Sequence, residues 1–499
     1  MRAGRWSLPV VVALLAGGTV AVSLVGTPAA KRGALESSVE VVGATAVCPD
    51  VRQHLGAYQT RISIGAAPLP AGRTTSGGSV STTLVDGDET SARVPIGAPG
   101  QVAVGLGEKI QNNGVAVSAT GALATGLEVE QVARGSGGHF RGLASVRCEP
   151  PKRDAWFVGA STSVYDTAVL KLANVDDTPA TVDITEFGQG SAPDPRPGQG
   201  LTVPPHSLLG IRLDTLSPDL MYQVVHVRSR QGRVAASLSD SKFVPGAPLG
   251  FDYVPQSLPP QPVVVVPGIP QGPGGRLLVV GNPSADDTTV SIKATVSDGQ
   301  FVPSGMDAIP VPAHRTKVID LASVAGTSPV TVTVTSSGAP VVAGAYVVDA
   351  QLFQVGNIHE LSFAGSANPL SGPALLTDLV INHPTESTLI LSAPDASATV
   401  VVTPIKVLGA AGSPPAPRTV RVPGGRTVTL RLSTFFPPGA SARLAVEVRP
   451  TVGSGPVYAS RYLRERGARG TLTTLLTLQG PAQLVDRPAV VRDDEAAYP

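Results

Sequence analysis

The chain has 499 residues, too many for one hydrophobic core, so several domains of ordinary size are expected. Only 15% of the residues are charged and the formal net charge is +1, which provides no field to attract nucleic acid or an anionic surface. Aromatic residues make up 4%, so rings that could stack on sugars or single strands are scarce. Gly (55) and Pro (47) are abundant beside alternating valine-rich runs, a pattern that indicates an all-β, loop-rich protein.

The N-terminal segment, residues 1–35, contains an apolar run that is long enough to cross a bilayer. No charged residue lies between Trp6 and Ala30, and Arg2 and Arg5 precede the run. The run is longer than the apolar region of a typical cleaved signal peptide, which favours an uncleaved transmembrane anchor; the small residues that follow it leave signal cleavage open. We therefore expect a single-pass cell-membrane protein with most of the chain outside the cytoplasm, or a secreted protein if the signal is cleaved.

Residues 36–150 form a predicted β-rich domain in which strand patterns alternate with Gly- and Pro-rich loops. This segment contains Cys48 and Cys148, the two cysteines of the chain. An even count behind an export signal predicts a structural disulfide, which would close a loop of about 100 residues. Two free thiols are the alternative. Neither cysteine lies in a C-x-x-C pair or beside a histidine, so zinc or redox chemistry has little support.

Three copies of one β-rich pattern follow Trp156, at a period of about 110 residues. Each copy has a Thr-Val pair, then a Val-Pro, then a leucine that closes a strand, then a V-x-A strand start. The landmarks are Thr181-Val182, Val203-Pro204, Leu213 and Val234; Thr289-Val290, Val311-Pro312, Leu321 and Val341; Thr399-Val400, Val422-Pro423, Leu432 and Val457. The alternation of apolar and polar residues in "RTVTLRL" is typical of a half-buried strand.

A unit of about 100 residues with several short alternating strands is typical of an immunoglobulin-like or related β-sandwich. We predict such repeats at residues 151–259, 260–370 and 371–482, followed by a polar tail at 483–499. Three sandwiches in tandem are expected to form a rod or a curved array. The predicted fold class is all-β, with tandem immunoglobulin-like β-sandwiches, an N-terminal β-rich domain and one N-terminal transmembrane helix.

The arrangement of these segments resembles an uncharacterised family of exported actinobacterial proteins that is known only as a domain of unknown function. Three features carry the resemblance: the N-terminal membrane segment, a Cys-x-x-Pro motif at Cys148 followed by Trp-Phe-Val-Gly from Trp156, and strands like "VPGGRTVTLRL". The resemblance covers most of the chain and implies an extracytoplasmic, membrane-tethered β protein. It supplies no reaction, ligand or catalytic residue.

The chain lacks the short motifs of common catalytic and metal sites. Its seven histidines form no H-x-H or H-E-x-x-H pair, and there is no nucleophile elbow, P-loop or dinucleotide fingerprint. We therefore predict no catalytic residue, no metal and no cofactor. His206 and His314 occupy equivalent turn positions in two copies, where the third copy has Gly425, and solvated turns are the simpler interpretation.

The segment "SRYLRERGARG" is the best candidate for a charged contact surface. It places Arg461, Arg464, Arg466 and Arg469 against a single acid, Glu465. Such a cluster suits an anionic envelope polymer or a lipid head group; the alternative is a charged strand end that discourages edge pairing.

These observations predict a non-enzymatic extracytoplasmic envelope protein that acts as a scaffold or binding module through tandem β-sandwiches. The expected partners are the membrane, through the N-terminal helix, and envelope proteins or polymers; nucleic acid is not expected. The alternatives are an envelope glycan-acting enzyme, which needs a deep cleft lined by close Asp/Glu pairs, and a carbohydrate-binding protein, which needs a row of exposed rings.

Overall fold

A computed structural model describes the protein over residues 38–49, 58–69, 77–86, 92–104, 113–135, 141–190, 196–244, 247–349, 360–381, 385–437, 442–467, 470–480 and 484–486. The prediction of an all-β protein is confirmed, since strands dominate these residues and the α-helix is a single turn, Ala322–Ala325. The predicted transmembrane segment 1–35 lies outside the described residues. Within them, no helix is long and apolar enough to span a bilayer.

The strands fall into four successive groups that we call sheet pairs, because each group forms two sheets. Strand β1 (Ser38–Glu40) precedes them. Sheet pair 1 contains β2 (Gly43–Cys48), β3 (Tyr58–Ala66), β4 (Val80–Leu84), β5 (Ala92–Val94), β6 (Val102–Val104), β7 (Val115–Thr120), β8 (Leu127–Gly135) and β9 (Gly142–Arg147). Sheet pair 2 contains β10 (Asp154–Ala160), β11 (Asp166–Asn174), β12 (Ala180–Phe187), β13 (Leu201–Val203), β14 (Ser207–Arg212), β15 (Gln223–Gln231), β16 (Ala235–Val244), β17 (Ala247–Val254) and β18 (Gln256–Ser257).

The remaining strands form two more groups and a C-terminal strand. Sheet pair 3 contains β19 (Val263–Ile269), β20 (Arg276–Asn282), β21 (Thr288–Thr295), β22 (Gln300–Phe301), β23 (Ile309–Val311), β24 (Arg315–Asp320), β25 (Val330–Ser336), β26 (Val342–Asp349) and β27 (Glu360–Gly365). Sheet pair 4 contains β28 (Ala374–Ile381), β29 (Thr385–Ala393), β30 (Ala398–Lys406), β31 (Arg418–Val422), β32 (Arg426–Arg431), β33 (Ala442–Pro450), β34 (Tyr458–Gly467) and β35 (Gly470–Thr477). Strand β36 (Leu484–Asp486) follows.

All four sheet pairs share one topology. In sheet pair 1 the orders are β2-β7-β4-β5 and β6-β3-β8-β9, and the other three pairs repeat this pattern, with β18 added to one sheet of pair 2 and β22 to one sheet of pair 3. Sheet pair 1 thus has the same strand order as the predicted repeats, which the sequence pattern alone did not reveal. In an immunoglobulin constant domain the first two strands share a sheet. Here they lie in opposite sheets, so the connectivity differs from that fold.

The sequence landmarks occupy the same positions in sheet pairs 2, 3 and 4. Each Val-Pro valine ends a short edge strand, as Val203 ends β13, and each leucine landmark directly follows the next strand and is fully buried. The turn after each Val-Pro needs a left-handed residue, because φ is 47° at His206, 53° at His314 and 72° at Gly425. Glycine adopts that conformation without steric cost, which explains why it replaces histidine in the third copy.

Residues 41–483 form one compact unit in which the four sheet pairs close into a ring. The last strand of each pair contacts the last strand of the next: β9 lies against β17, β17 against β27, β27 against β35, and β35 against β9. We call these four the central strands. The expectation of a rod or curved array is therefore wrong. Sheet pair 1 packs against both pair 2 and pair 4, so the array has no free end.

Apolar contacts join the neighbouring pairs. Trp156 lies on β10, the first strand of sheet pair 2, is 6% exposed, and packs with Val279 and Val342 of sheet pair 3. Its indole N–H donates to Asp154 at 2.8 Å, and its face stacks on His226 at 3.8 Å between ring centroids. An aromatic side chain with a polar edge suits such a junction.

The other compact unit consists of residues 1–40 and 484–499, of which the structure describes two strands. β1 and β36 pair antiparallel, with Ser38 opposite Asp486. The predicted polar tail therefore contributes a short strand, and its remaining residues lie outside the described part of the chain.

The Cys48 and Cys148 side chains form a disulfide across a separation of 100 residues, with 4.4 Å between the Cα atoms. We expect the double variant Cys48→Ala, Cys148→Ala to lose about 4 to 5 kcal/mol of unfolding free energy, because the cross-link restricts the unfolded chain. Urea unfolding followed by tryptophan fluorescence measures this loss. The reduced wild-type protein is the control and should unfold with the double variant. A loss below about 1 kcal/mol would show that the disulfide constrains little.

Candidate functional site: the ring axis and its clefts

Two buried carboxylates lie where the central strands meet. Asp252 on β17 and Glu360 on β27 are both fully buried. We call them the axial carboxylates. Each central strand is the edge of its sheet and has one neighbouring strand, so its other side presents backbone N–H groups that need acceptors. The axial carboxylates supply these acceptors.

Asp252 connects three sheet pairs. Its Oδ1 accepts the backbone N–H groups of Tyr253 at 2.8 Å and of Ser145, on β9, at 3.2 Å. The Thr474 hydroxyl on β35 donates to Oδ2 at 2.9 Å, and the Leu475 backbone N–H also faces this carboxylate. One side chain thus satisfies donors from β9, β17 and β35 together.

Glu360 extends the same arrangement to sheet pair 3. Its Oε1 accepts the Phe251 backbone N–H at 3.1 Å, and Arg141 of sheet pair 1 provides a favourable charge. The close approach of β17 and β27 needs a glycine at Gly250, because a Cβ atom there would lie 2.6 Å from the Leu361 nitrogen. Burial raises the pKa of Asp252 and of Glu360 well above the usual range, although hydrogen-bond donors oppose the shift.

The contact between sheet pairs 1 and 4, which we call the closing interface, is rich in charge. Arg61 donates twice to Asp378, at 3.0 and 2.8 Å. Arg461 pairs with Glu130, and its Nη1 donates to the Asp378 carbonyl oxygen at 2.9 Å. A separate pair joins Arg134 to Glu465 at 2.7 Å. The same interface also contains two apolar clusters: Val102, Leu375, Val407 and Ala445, and Val132, Leu143, Leu463 and Leu472.

Arg461 therefore does not belong to a charged contact surface, and that part of the sequence prediction is wrong. Its side chain is fully buried, and Ser145 Oγ accepts its Nη2–H at 2.7 Å. The alternative role of discouraging edge pairing does not apply to β34 itself, because β34 lies between β29 and β35. Arg461 and Leu463 on one face of β34 meet sheet pair 1, and Ser460 and Tyr462 on the other face meet sheet pair 3, so both faces are covered there.

The other members of the predicted arginine cluster have different surroundings. Arg464 is half-buried and Arg466 is exposed at the end of β34. Arg469 lies outside the described residues. Buried Arg461 does not share a surface with Arg464 and Arg466, and a contact role for these two stays a prediction.

Two adjacent clefts open beside the ring axis, at the ends of β9 and β35. The larger cleft is shallow, since its empty volume of about 540 Å³ includes open solvent, and it is lined by sheet pairs 1, 2 and 4. Its wall includes Val47, Pro49, Arg147 and Glu149, the immediate neighbours of the two cysteines. The disulfide therefore fixes one wall of this cleft.

The smaller cleft lies at the closing interface, and its empty volume of about 280 Å³ includes open solvent. Its lining includes Glu128, Glu130 and Arg147 of sheet pair 1 and Thr477 and Gln479 of sheet pair 4. Arg147 and Glu128 form a two-pronged ion pair, with Nε–Oε2 at 2.9 Å and Nη2–Oε1 at 2.6 Å. Arg147 Nη1 also donates to Gln479 at 3.0 Å. Burial raises the pKa of Glu128 and of Glu130, against the opposing charges of Arg147 and Arg461.

The sequence contained one signal for these groups that our motif search did not use. Asp252 in "LGFDYV" and Glu360 in "ELSFAG" are single acids in otherwise apolar strand patterns, and "GLEVEQVA" contains two, Glu128 and Glu130. A charge in such a strand must be paired or hydrogen-bonded once it is buried. In the described ranges, no three His, Cys, Asp or Glu side chains are grouped so that they could hold a metal ion.

A family model matches residues 102–433, about two thirds of the chain. The chain belongs to DUF5719, a family of unknown function. The DUF5719 match begins at β6 in sheet pair 1 and ends just after β32 in sheet pair 4, so every sheet pair contributes to it. The resemblance to an uncharacterised domain family is thereby confirmed.

Comparison with characterised proteins adds no further relative. No curated protein and no solved structure matches this DUF5719 chain.

The hydrogen bonds of Asp252 lead to a prediction for the stability of the protein. We expect Asp252→Leu to lose roughly 2 to 5 kcal/mol of unfolding free energy, because the Tyr253 and Leu475 N–H groups and the Thr474 hydroxyl lose a buried acceptor. Asp298→Leu in an exposed turn is the matched control and should change stability by less than about 0.5 kcal/mol. Equal losses in the two variants, measured by urea unfolding, would contradict the proposed role of Asp252.

Asp252 also predicts a pH dependence. Its pKa in the folded protein lies above the ordinary value of 3.8, so between these two values the folded state holds a proton that the unfolded chain has released. The unfolding free energy contributed by this group therefore falls as pH rises through that window. Asp252→Asn removes the titration. The unfolding free energy of the wild type minus that of the variant, measured by urea unfolding at several pH values, should fall as pH rises. A constant or rising difference would refute the raised pKa of Asp252.

Proposed function

We propose that this protein is a non-enzymatic, extracytoplasmic binding or scaffold protein of the cell envelope, held at the membrane by its N-terminal segment. In this proposal the four sheet pairs are copies of one β-sandwich unit, which the shared strand order supports. The apolar run up to Ala30 supports the anchor. A disulfide also suits an oxidising compartment outside the cytoplasm.

The single observation that carries the proposal is the closed ring of four sheet pairs around buried carboxylates. Such a ring is a rigid frame, because each pair is packed against two neighbours and the edges of the central strands are satisfied internally. A rigid frame holds surface clefts in a fixed geometry, which lowers the entropic cost of binding a partner. We assign the partner-binding surface to the two clefts beside the axis.

One observation favours the alternative of a glycan-acting enzyme. Glu128 and Glu130 both line the smaller cleft, and burial raises the pKa of each carboxyl. Paired carboxyl groups with raised pKa are used in glycoside hydrolysis. Each of these carboxylates is, however, already held by an arginine, Arg147 and Arg461 respectively. A carboxylate that is fixed in an ion pair is poorly suited to exchange protons.

In-cell crosslinking tests the proposed function. A photo-crosslinking residue is placed at Ser237, which is half-buried in the larger cleft, and separately at Asp298, in an exposed turn. We expect discrete adducts with an envelope protein or polymer from position 237 and not from position 298, identified by mass spectrometry. Equal labelling from both positions, or none from either, would contradict the proposal.

A second outcome would support the enzyme instead. If the purified protein released soluble fragments from isolated envelope glycan, and Glu128→Gln abolished that release, the non-enzymatic proposal would be wrong.

A further inference from the structure

Sheet pair 4 carries a surplus of positive charge that the net charge of the whole chain conceals. Between Asp395 and Glu447 the sequence contains six basic residues and no acid. Four of the six lie on β31 and β32 and are exposed: Arg418, Arg421, Arg426 and Arg431. We call the segment 418–431 the basic edge, because β31 and β32 each end a sheet and have one neighbouring strand.

The equivalent segments of sheet pairs 2 and 3 do not share this charge. β13 and β14 contain one arginine, Arg212, which pairs with Asp214 at 2.6 Å. β23 and β24 contain Arg315 and Lys317 beside Asp320, and Arg315 donates to carbonyl oxygens of sheet pair 2. Charged side chains protect exposed strand edges from unwanted pairing, but β13 and β14 do without four unneutralised arginines. Edge protection therefore does not explain the basic edge.

Little of this charge is neutralised. Glu386 on β29 lies 3.3 Å from Arg431. In the described part of the chain, Arg418, Arg421 and Arg426 form no ion pair, and Arg426 donates to a carbonyl oxygen of sheet pair 3 at 3.4 Å. Arginine does not lose its proton in proteins, so three guanidinium groups keep an unbalanced charge within this short segment.

Arg418 is held in a fixed orientation. Its guanidinium lies over the Phe435 ring, 4.3 Å from the centroid, and its Nη1 donates to Thr434 Oγ1 at 3.1 Å. The Thr434 hydroxyl donates in turn to the Arg431 carbonyl oxygen at 2.7 Å, which places Arg418 and Arg431 at the same end of the basic edge. A guanidinium that is fixed in advance loses less entropy when it binds an anion.

The spacing of the arginines suits a polymer that carries repeated phosphate groups. Arg421 and Arg426 flank the turn at the other end of the basic edge. Arg418 and Arg421 are three residues apart on an extended strand, a span of about 10 Å, so one small anion cannot contact both ends. Each end combines arginines from two different sheets. The oxygens of a phosphate point in several directions and can accept from two such guanidinium groups, whereas a planar carboxylate suits a single fork.

Two other anionic partners fit this surface less well. A bilayer takes up exposed apolar side chains, but Val428, Leu430 and Phe436 are half-buried against the core of sheet pair 4. Single-stranded nucleic acid needs exposed rings on which its bases stack, and Arg418 covers the Phe435 ring. A hydrophilic phosphate polymer needs neither feature.

We propose that the basic edge is a docking surface for a phosphate-bearing polymer, which lies along β31 and β32. The surface is separate from the two clefts, because none of its residues lines either of them. It gives the protein a second contact, with a different chemistry, beyond the cleft-binding role.

Fluorescence anisotropy with labelled inorganic polyphosphate and the full-length protein tests this proposal. The double variant Arg421→Gln, Arg426→Gln should weaken binding about tenfold at low salt, and the slope of log affinity against log salt should become shallower by about two, one for each lost contact. Lys293→Gln, Lys317→Gln removes the same charge from exposed positions of sheet pair 3 and is the matched control. It should leave both the affinity and the slope unchanged.

Two single variants separate geometry from charge. Arg418→Lys keeps the charge but loses the planar contact with Phe435, and should weaken binding about three- to tenfold with an unchanged salt slope. Glu386→Gln removes the acid beside Arg431 and should tighten binding about two- to threefold. A gain of affinity cannot result from misfolding, so this variant keeps the test decisive.

Equal weakening by the two double variants, or no saturable binding of polyphosphate, would overturn the proposal. Tighter binding of polygalacturonate, of phosphatidylglycerol vesicles or of a single-stranded oligonucleotide, each at matched charge, would reject the phosphate polymer as the partner class. Photo-crosslinking at Ser237 reports on the larger cleft and not on the basic edge, so failure of this proposal is distinguishable from failure of the proposed function.

Discussion

The ring depends on how the unpaired edges of its four central strands are satisfied. A closed array of separate sheets leaves backbone N–H groups facing the axis, and these groups need acceptors once water is excluded. Asp252 accepts donors from β9, β17 and β35, and Glu360 accepts from β17. These two acids thus accept donors from all four central strands, where a closed barrel would pair its strands instead. This arrangement requires both carboxylates to be buried, and burial raises the pKa of each.

The contact that closes the ring combines apolar clusters with buried ion pairs. Consecutive sheet pairs are already near each other because the chain connects them. Sheet pairs 1 and 4 must instead find each other across more than 300 residues, as the 317-residue separation of Arg61 and Asp378 illustrates. A buried ion pair adds little net stability, but a missing partner is strongly penalised. The Glu130–Arg461 pair therefore favours one arrangement of this interface over mismatched ones. The same interface carries the smaller cleft, so closing the ring also builds the candidate site.

The sequence predicted local structure well and long-range structure poorly. Val203, Leu213 and their counterparts mark strand ends because proline and alternation act within a few residues, and these landmarks fall at equivalent positions in three sheet pairs. The disulfide was the one long-range contact that residue chemistry indicated in advance, because two cysteines behind an export signal are expected to pair. No residue pattern in the sequence predicted that the ring closes, because closure depends on which faces of distant strands meet. Arg461 illustrates this limit, since an arginine in a charge-rich segment is normally exposed and only the packing of sheet pair 1 buries it.

The central claim is that sheet pairs 1 and 4 meet in the native protein. Val102 and Val407 form a parallel bridge at that contact, where the Leu408 N–H donates to the Val102 carbonyl oxygen at 2.8 Å. The most direct measurement is oxidation of the full-length double variant Val102→Cys, Val407→Cys, followed by peptide mapping without reduction, with the two single variants as controls. The closed ring predicts an intramolecular link between positions 102 and 407 in the monomer. A double variant that stays unlinked while the Cys48–Cys148 bond forms would show that the ring is open.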